Sequence, residues 1–220
     1  MKSKEFIFED EQADIVAIQV EYELTEQDVK FALAVKAKCK PFLQDVDFRA
    51  FSEFGLFRGI KDDNDYLTKV VRLDGRQPKD TAEGLHNKLN AFYTAEFGAA
   101  FRNAIFCTGD YAKAQDYGNA YNIFPIGDFR SLWSPDINDL WVEHSTFRRN
   151  FAKNGRRIMD YINDAEDSFI ENVIAKADWK TNELKNGIKY KNEIMIRCKQ
   201  YFACRVDSDK EKGLEAIIRL

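Results

Sequence analysis

Near the end of the chain, Lys191-Asn192-Glu193-Ile194-Met195-Ile196 sets one carboxylate at the mouth of an apolar, strand-like run. Two upstream runs of the same kind also meet polar groups. Leu56-Phe57-Arg58-Gly59-Ile60 closes on an arginine and a glycine, and Ala104-Ile105-Phe106-Cys107-Thr108-Gly109-Asp110 closes on a small hydroxyl. Runs this short read as strands, and the helical spacing found between them makes the pattern α+β.

The chain opens with helical character. Ile15 to Tyr22 mixes apolar and polar residues without a clear period. Thr25 then precedes Glu26-Gln27-Asp28, an N-cap with acids in the first turn. Val29, Ala32, Leu33 and Ala37 follow at helical spacing, and Pro41 marks an end or a break. Phe51 to Ile60 and Thr68 to Leu73 read as strands, with Asp74-Gly75-Arg76-Gln77-Pro78 as a turn. Asp80 or Thr81 caps a helix from Gly84 to Phe101, carried by Leu85, Leu89, Phe92, Tyr93 and Phe97. Ala104 to Thr108 is a strand, Asp110 caps a helical turn to Tyr117, and Tyr121 to Pro125 is a strand. Ser131 to Leu140 reads as a loop. A long polar helical segment runs from about Ser145 to Ala177, with Phe151, Ile158, Tyr161, Ile162 and Phe169 among its apolar positions. Asn186-Gly187 reads as a turn, and Tyr201 to Val206 as the last strand. No linker divides the chain, so residues 1–220 are read as one domain.

The 220 residues are 45% hydrophobic and 32% charged, which suits a globular chain with one sizeable core. A net charge of −4 gives no general drive toward nucleic acid or anionic membranes. Arg148-Arg149 and Arg156-Arg157 read as a solvated helix face. Most of the 18 Phe and 9 Tyr read as core. Cys39, Cys107, Cys198 and Cys204 form no CxxC pair and the two histidines lie apart from them, so zinc is not expected. Met1-Lys2-Ser3-Lys4-Glu5 leads to no apolar run long enough for secretion, and no stretch approaches a membrane span. Reduced thiols in a cytoplasmic compartment are the expectation.

An arginine closing one strand, a hydroxyl closing the next and a glutamate opening a late strand resemble the catalytic set of the arginine-serine-glutamate class of mono-ADP-ribosyltransferases. In that family the arginine stands in a motif like YRG, here Phe57-Arg58-Gly59. The serine-threonine-serine element corresponds to Cys107-Thr108-Gly109, where only the threonine matches. The glutamate opens a strand in patterns like ExEVLI, here Lys191 to Ile196. The resemblance implies a split β-sandwich with an NAD cleft over residues 51–206, a helical lead-in over residues 1–50 and an inserted helical segment from about Ser145 to Ala177. It implies NAD+ as substrate and mono-ADP-ribosyl transfer to a macromolecule, a host protein or a nucleic acid. Glu193 is then catalytic, and Arg58, Gly59, Cys107, Thr108, Tyr117 and Tyr121 bind NAD.

Lys191 departs from the family. Members that modify arginine carry a glutamate there, and some others a glutamine, so the resemblance does not imply arginine as the acceptor. An NAD glycohydrolase needs the same residues. A catalytically silent module of this fold, such as a component of a phage particle, is the alternative of another class, and the altered Cys107-Thr108-Gly109 favours it. Phe124-Pro125-Ile126-Gly127 and Trp133-Ser134-Pro135 are similar to bacteriophage proteins of this fold, which implies a viral source and action in the host cytoplasm. Each motif residue also has a plain structural reading. Arg58 reads as a surface arginine by a turn, Thr108 as a strand end, Glu193 as a strand-edge acid, and Tyr117 and Tyr121 as core. His86 reads as a hydrogen-bonded structural histidine. Arg76 lies in a loop read either as a cover over the nucleotide or as a structural anchor.

Overall fold

Thr25 does cap the helix that follows it. The computed structural model describes residues 4–48, 55–76, 81–153, 162–206 and 208–220. Helix α2 (Glu26–Lys38) begins with a capping box. The Thr25 N–H donates to Asp28 Oδ2 at 2.7 Å, and the Asp28 N–H to Thr25 Oγ1 at 3.2 Å. The chain does break at Pro41: α2 stops at Lys38, and Pro41 sits in the first turn of the next helix, α3 (Lys40–Asp45), where a missing N–H costs nothing. Ahead of both lies α1 (Lys4–Glu21). Its lack of period has a simple cause: from Glu11 onward only Ile15 is fully buried, with Ile18 packed at the core's rim.

Asp28 is more than a cap. It is 1% exposed, accepts from the Tyr66 hydroxyl, and lies 3.7 Å from Lys210 Nζ. Burial pushes its carboxyl up, but the hydrogen bonds from Tyr66 and Thr25 outweigh burial and hold it below the usual range. Asp28→Ala strands both partners and removes the cap, so a loss of about 2 kcal/mol is expected. A urea midpoint equal to wild type would refute this.

Eight strands follow: β1 (Phe57–Ile60), β2 (Tyr66–Val70), β3 (Ile105–Thr108), β4 (Asn119–Ile126), β5 (Arg130–Trp133), β6 (Lys180–Thr181), β7 (Glu193–Arg197) and β8 (Gln200–Arg205). They form one antiparallel sheet in the order β2-β8-β4-β1-β3-β7-β5-β6. Two separate small sheets are thus not observed. The sheet does have a seam, because β1 and β3 share only the pair Phe57↔Thr108, whereas β1 pairs with β4 along its whole length.

Helices cover the sheet. On one side of β2/β8/β4, α2 and α3 pack through aromatic contacts: Phe31 with Tyr66, Phe124 and Phe202, and Phe42 with Phe124. Alternate residues face the other way, and Tyr121, Ile123, Tyr201 and Ala203 share one buried cluster with Ile105, Cys107, Ile194 and Ile196 across the seam. A second cluster builds on the opposite face of β7 and β5, at Met195 and Leu132. It is covered by α4 (Glu83–Phe97), α6 (Leu140–Lys153), α7 (Ile162–Phe169) and a π-turn at Ile170–Ile174. The remaining helices are α5 (Tyr111–Gln115), α8 (Leu184–Tyr190) and α9 (Ser208–Arg219).

Several expectations need correction. Ser131-Leu132-Trp133 is a strand, not a loop, because β7 and β6 pair with it from both sides. Asn186-Gly187 lies inside α8, where Gly187 lets the helix press on the Trp133 ring; a Cβ there would sit 2.8 Å from Trp133 Cδ1. The second strand covers Tyr66–Val70 rather than Thr68 to Leu73. Helix α4 starts at Glu83 without a Thr81 cap and ends at Gly98. Helix α9 was not expected. Phe51 to Phe54, Gln77 to Asp80, Arg156-Arg157, Ile158 and Tyr161 lie outside the described residues.

Candidate active site

The three motif strands are neighbours. The sheet order runs β1-β3-β7, and Phe57, Thr108 and Glu193 stand in one cross-strand row, since Thr108 pairs with both. Paired residues share a face, so Thr108 and Glu193 project on the same side.

Glu193 is fixed from several directions. Its carboxylate oxygen Oε1 lies 3.1 Å from Arg102 Nη1, with the two side chains 18% and 8% exposed. Its backbone N–H donates to the Asn138 carbonyl at 2.9 Å. Burial raises its carboxyl above the usual glutamate range. Arg102 opposes the rise, nearby Asp139 adds to it, and the Leu140 N–H at the start of α6 opposes it again. Glu193 is therefore a partly desolvated carboxylate whose upward shift is opposed chiefly by one guanidinium.

Thr108 holds the turn that delivers this glutamate. Lys191 ends α8 in the left-handed region, at φ 61°. Its carbonyl accepts from Thr108 Oγ1 at 2.9 Å and from Lys113 Nζ at 3.0 Å, while its side chain is exposed. Next to it, Asn192 is buried and donates to the Ser134 and Pro135 carbonyls at 2.8 and 3.1 Å. Thr108 is thus a positioning residue within the protein. Thr108→Val is expected to lower stability by about 1 kcal/mol, read as a urea midpoint shift; an unshifted midpoint would mean that the hydroxyl bears no part in holding the turn.

The glycines of the two motifs make room. A Cβ on Gly59 would fall 2.1 Å from the Ala114 carbonyl oxygen of α5, and one on Gly109 only 1.8 Å from the Ile188 carbonyl oxygen of α8. Gly109 lets α8 approach the end of β3. Asp110 caps α5 as expected, accepting from the Ala112 and Lys113 N–H groups.

Arg58 bridges the seam. Its Nη1 donates to the Phe106 carbonyl at 2.8 Å, on the edge of β3 that β1 leaves open. Arg76 does the same one step along, donating to the Ala104 carbonyl. Arg102 joins them from a 3-10 turn at Phe101–Asn103, which His86, Asn90 and Asn103 tie down as a polar network. The Arg102 and Arg76 guanidinium carbons lie 4.3 and 4.9 Å from the Phe106 ring centroid. Burial pushes Arg76 down to about 10, and repulsion from Arg58 and Arg102 pushes in the same direction.

Of the residues expected at the site, Arg58, Thr108 and Glu193 gather at the seam with Gly59 beside them. Tyr117 is 59% exposed and reaches the same end; its hydroxyl donates to Asp139 Oδ2 at 3.3 Å. Cys107 and Tyr121 point into the core instead. The Cys107 thiol is buried and pushed up to about 12 by that burial, and the Tyr121 hydroxyl donates to the Asp62 and Asn64 carbonyls. Neither side chain is presented to a ligand, as alternation along β3 and β4 requires. Arg102 was missed by sequence reasoning, because an arginine inside Ala99-Ala100-Phe101 and Asn103-Ala104-Ile105 carries no local signal of its partner 91 residues on.

None of the four cysteines is disulfide-bonded. Among the described residues, no group of His, Cys, Asp or Glu is placed to hold a metal ion, and no helix is long and apolar enough to cross a membrane. A broad recess of about 510 Å³ lined by Lys36, Lys40, Leu43, Gln44, Phe48, Ile218 and Arg219 lies away from the Glu193 cluster. Comparison with protein-family models, curated proteins and solved structures finds no match to the chain.

Proposed function

We propose that the protein transfers ADP-ribose from NAD+ to a macromolecular acceptor, a protein or a nucleic acid, from a site at the seam between β1 and β3. The observation that carries this reading is the sheet order β1-β3-β7, which sets the strands bearing Arg58, Thr108 and Glu193 side by side, with Thr108 paired to Glu193 and Arg58 one residue past the Phe57 that pairs with Thr108.

The residues present fit the substrate. Positive charge develops on the ribose as its bond to nicotinamide breaks, and a partly desolvated carboxylate stabilises that charge more strongly than one in water. Glu193 is that carboxylate. Arg58 keeps unused donors for phosphate oxygens, and its planar fork suits them. Nicotinamide leaves with the electron pair of the glycosidic bond, the acceptor's nucleophile bonds to the ribose carbon, and the acceptor's proton passes to water. Thr108 acts through the Lys191 carbonyl, keeping Glu193 in register.

One observation favours a second reading. Position 191 carries an exposed lysine rather than an acid or an amide that would orient an acceptor side chain. Water as the acceptor, making the protein an NAD glycohydrolase, requires nothing at that position. Incubating the protein and cell lysate with NAD+ labelled on its adenylate separates the two. Label in protease-sensitive or nuclease-sensitive macromolecules supports transfer, whereas free ADP-ribose as the sole product assigns the glycohydrolase.

A further inference from the structure

Arg76 belongs to no motif of the sequence, yet it is drawn to the same strand edge as Arg58. β1 pairs with β3 only at Thr108, and two guanidinium groups meet the chain before that point, one on the Phe106 carbonyl and one on that of Ala104 just ahead of β3. Among the described residues, each uses one hydrogen bond of the five N–H donors an arginine carries, and neither has a carboxylate partner. Both are half-buried, so neither is wholly withdrawn from solvent. Arg102 stands close enough to both Arg76 and Glu193 to act on their charge states. Its Nε is buried without a hydrogen-bond partner, although the guanidinium already holds Glu193.

Three arginines converging on the Ala104–Phe106 segment, against one contacting carboxylate, are costly to hold together in a protein that binds no anion there. Like charges in a partly desolvated setting repel, and the cation–π contacts with Phe106 offset only part of that. A ligand with adjacent phosphates supplies what is missing: several acceptor oxygens and about two negative charges within reach of two planar forks.

We propose that Arg76 joins Arg58 in binding the diphosphate of a nucleotide at the seam, with Arg102 adding its charge. This rests on the reading of the seam as the ligand cleft, and it assigns Arg76 a role in substrate binding rather than in strand capping alone. Glu193 sets a limit on affinity, because its negative charge opposes the incoming anion and competes for Arg102.

The test is calorimetric titration with inorganic pyrophosphate, with ADP-ribose and a single-stranded oligonucleotide run separately. Wild type is expected to bind pyrophosphate and ADP-ribose, and Arg76→Gln to weaken both by about tenfold. Arg76→Lys, which keeps the charge but loses the fork, falls between. Glu193→Gln leaves the Arg76 contact intact and is expected to tighten pyrophosphate binding by about threefold. That variant keeps the test decisive even if Arg76→Gln is poorly folded. Pyrophosphate affinity unchanged by both Arg76→Gln and Glu193→Gln overturns the proposal, as does binding of the oligonucleotide alone. Pyrophosphate binding that depends on Arg76 without any nicotinamide release would sink the enzymatic reading and leave this site standing. Nicotinamide release with Arg76-independent binding would do the reverse.

Discussion

Glu193→Gln is expected to reduce nicotinamide release from NAD+ by about 100-fold to 1,000-fold, the usual effect of removing one aligned electrostatic group from a transition state. The amide keeps the volume and one acceptor oxygen for Arg102, so folding and pyrophosphate binding should survive. The acid limb of the wild-type pH–rate profile reports the same group. Burial raises the Glu193 carboxyl above its ordinary value of 4.5, so activity should fall with decreasing pH before an exposed glutamate would protonate. A Gln variant with wild-type turnover would remove Glu193 from the chemistry altogether.

The second large effect concerns acid stability and centres on His144. This residue is 3% exposed on α6, its Nε2 has no hydrogen-bond partner among the described residues, and its ring lies 5.1 Å from that of Phe169. Burial lowers its pKa from 6.5 to about 4, and Arg148 one turn along contributes in the same direction. The folded-state pKa is depressed, so the unfolded chain binds the proton first. Stability is fully present above about 6.5 and is lost as pH falls toward 4. The loss approaches about 3 kcal/mol across that window. His144→Phe should flatten the dependence there while leaving the loss at lower pH that follows carboxylates such as Asp28. Urea midpoints at pH 7.5 and 4.5 measure it, and equal pH slopes in variant and wild type would rule His144 out as the cause.

The parts of the fold legible in the sequence are those whose signal is local. Thr25 and Asp28 announce a helix start because the capping box closes within four residues. The strands at Ile105–Thr108 and Glu193–Arg197 are apolar runs that only burial explains. Strand β5 was hidden because Ser131-Leu132-Trp133 is brief and owes its state to Ile194, Met195 and Ile196 more than 60 residues away. Helix α8 was hidden because Asn-Gly favours a turn in isolation, and packing on Trp133 overrides that preference. Helix α9 did leave a signal, in the spacing of Leu214, Ile217 and Ile218, all buried.

The site divides the same way. Arg58, Thr108 and Glu193 stand out in the sequence through the order of three short motifs, and the sheet order β1-β3-β7 makes the strands that carry them neighbours. Tyr121 was misjudged because a tyrosine in a strand does not disclose which face it takes until the register is known. Arg102 and Arg76 are visible only in three dimensions, since the groups they meet, Glu193 and the Ala104 carbonyl, are brought to them by the sheet.

Nicotinamide release from NAD+ by the purified wild-type protein, with and without cell lysate and beside Glu193→Gln, tests the central claim most directly. Release well above the spontaneous rate in wild type, and lost in the variant, is the expected result. No release from wild type under either condition would contradict an NAD+-cleaving site at Glu193.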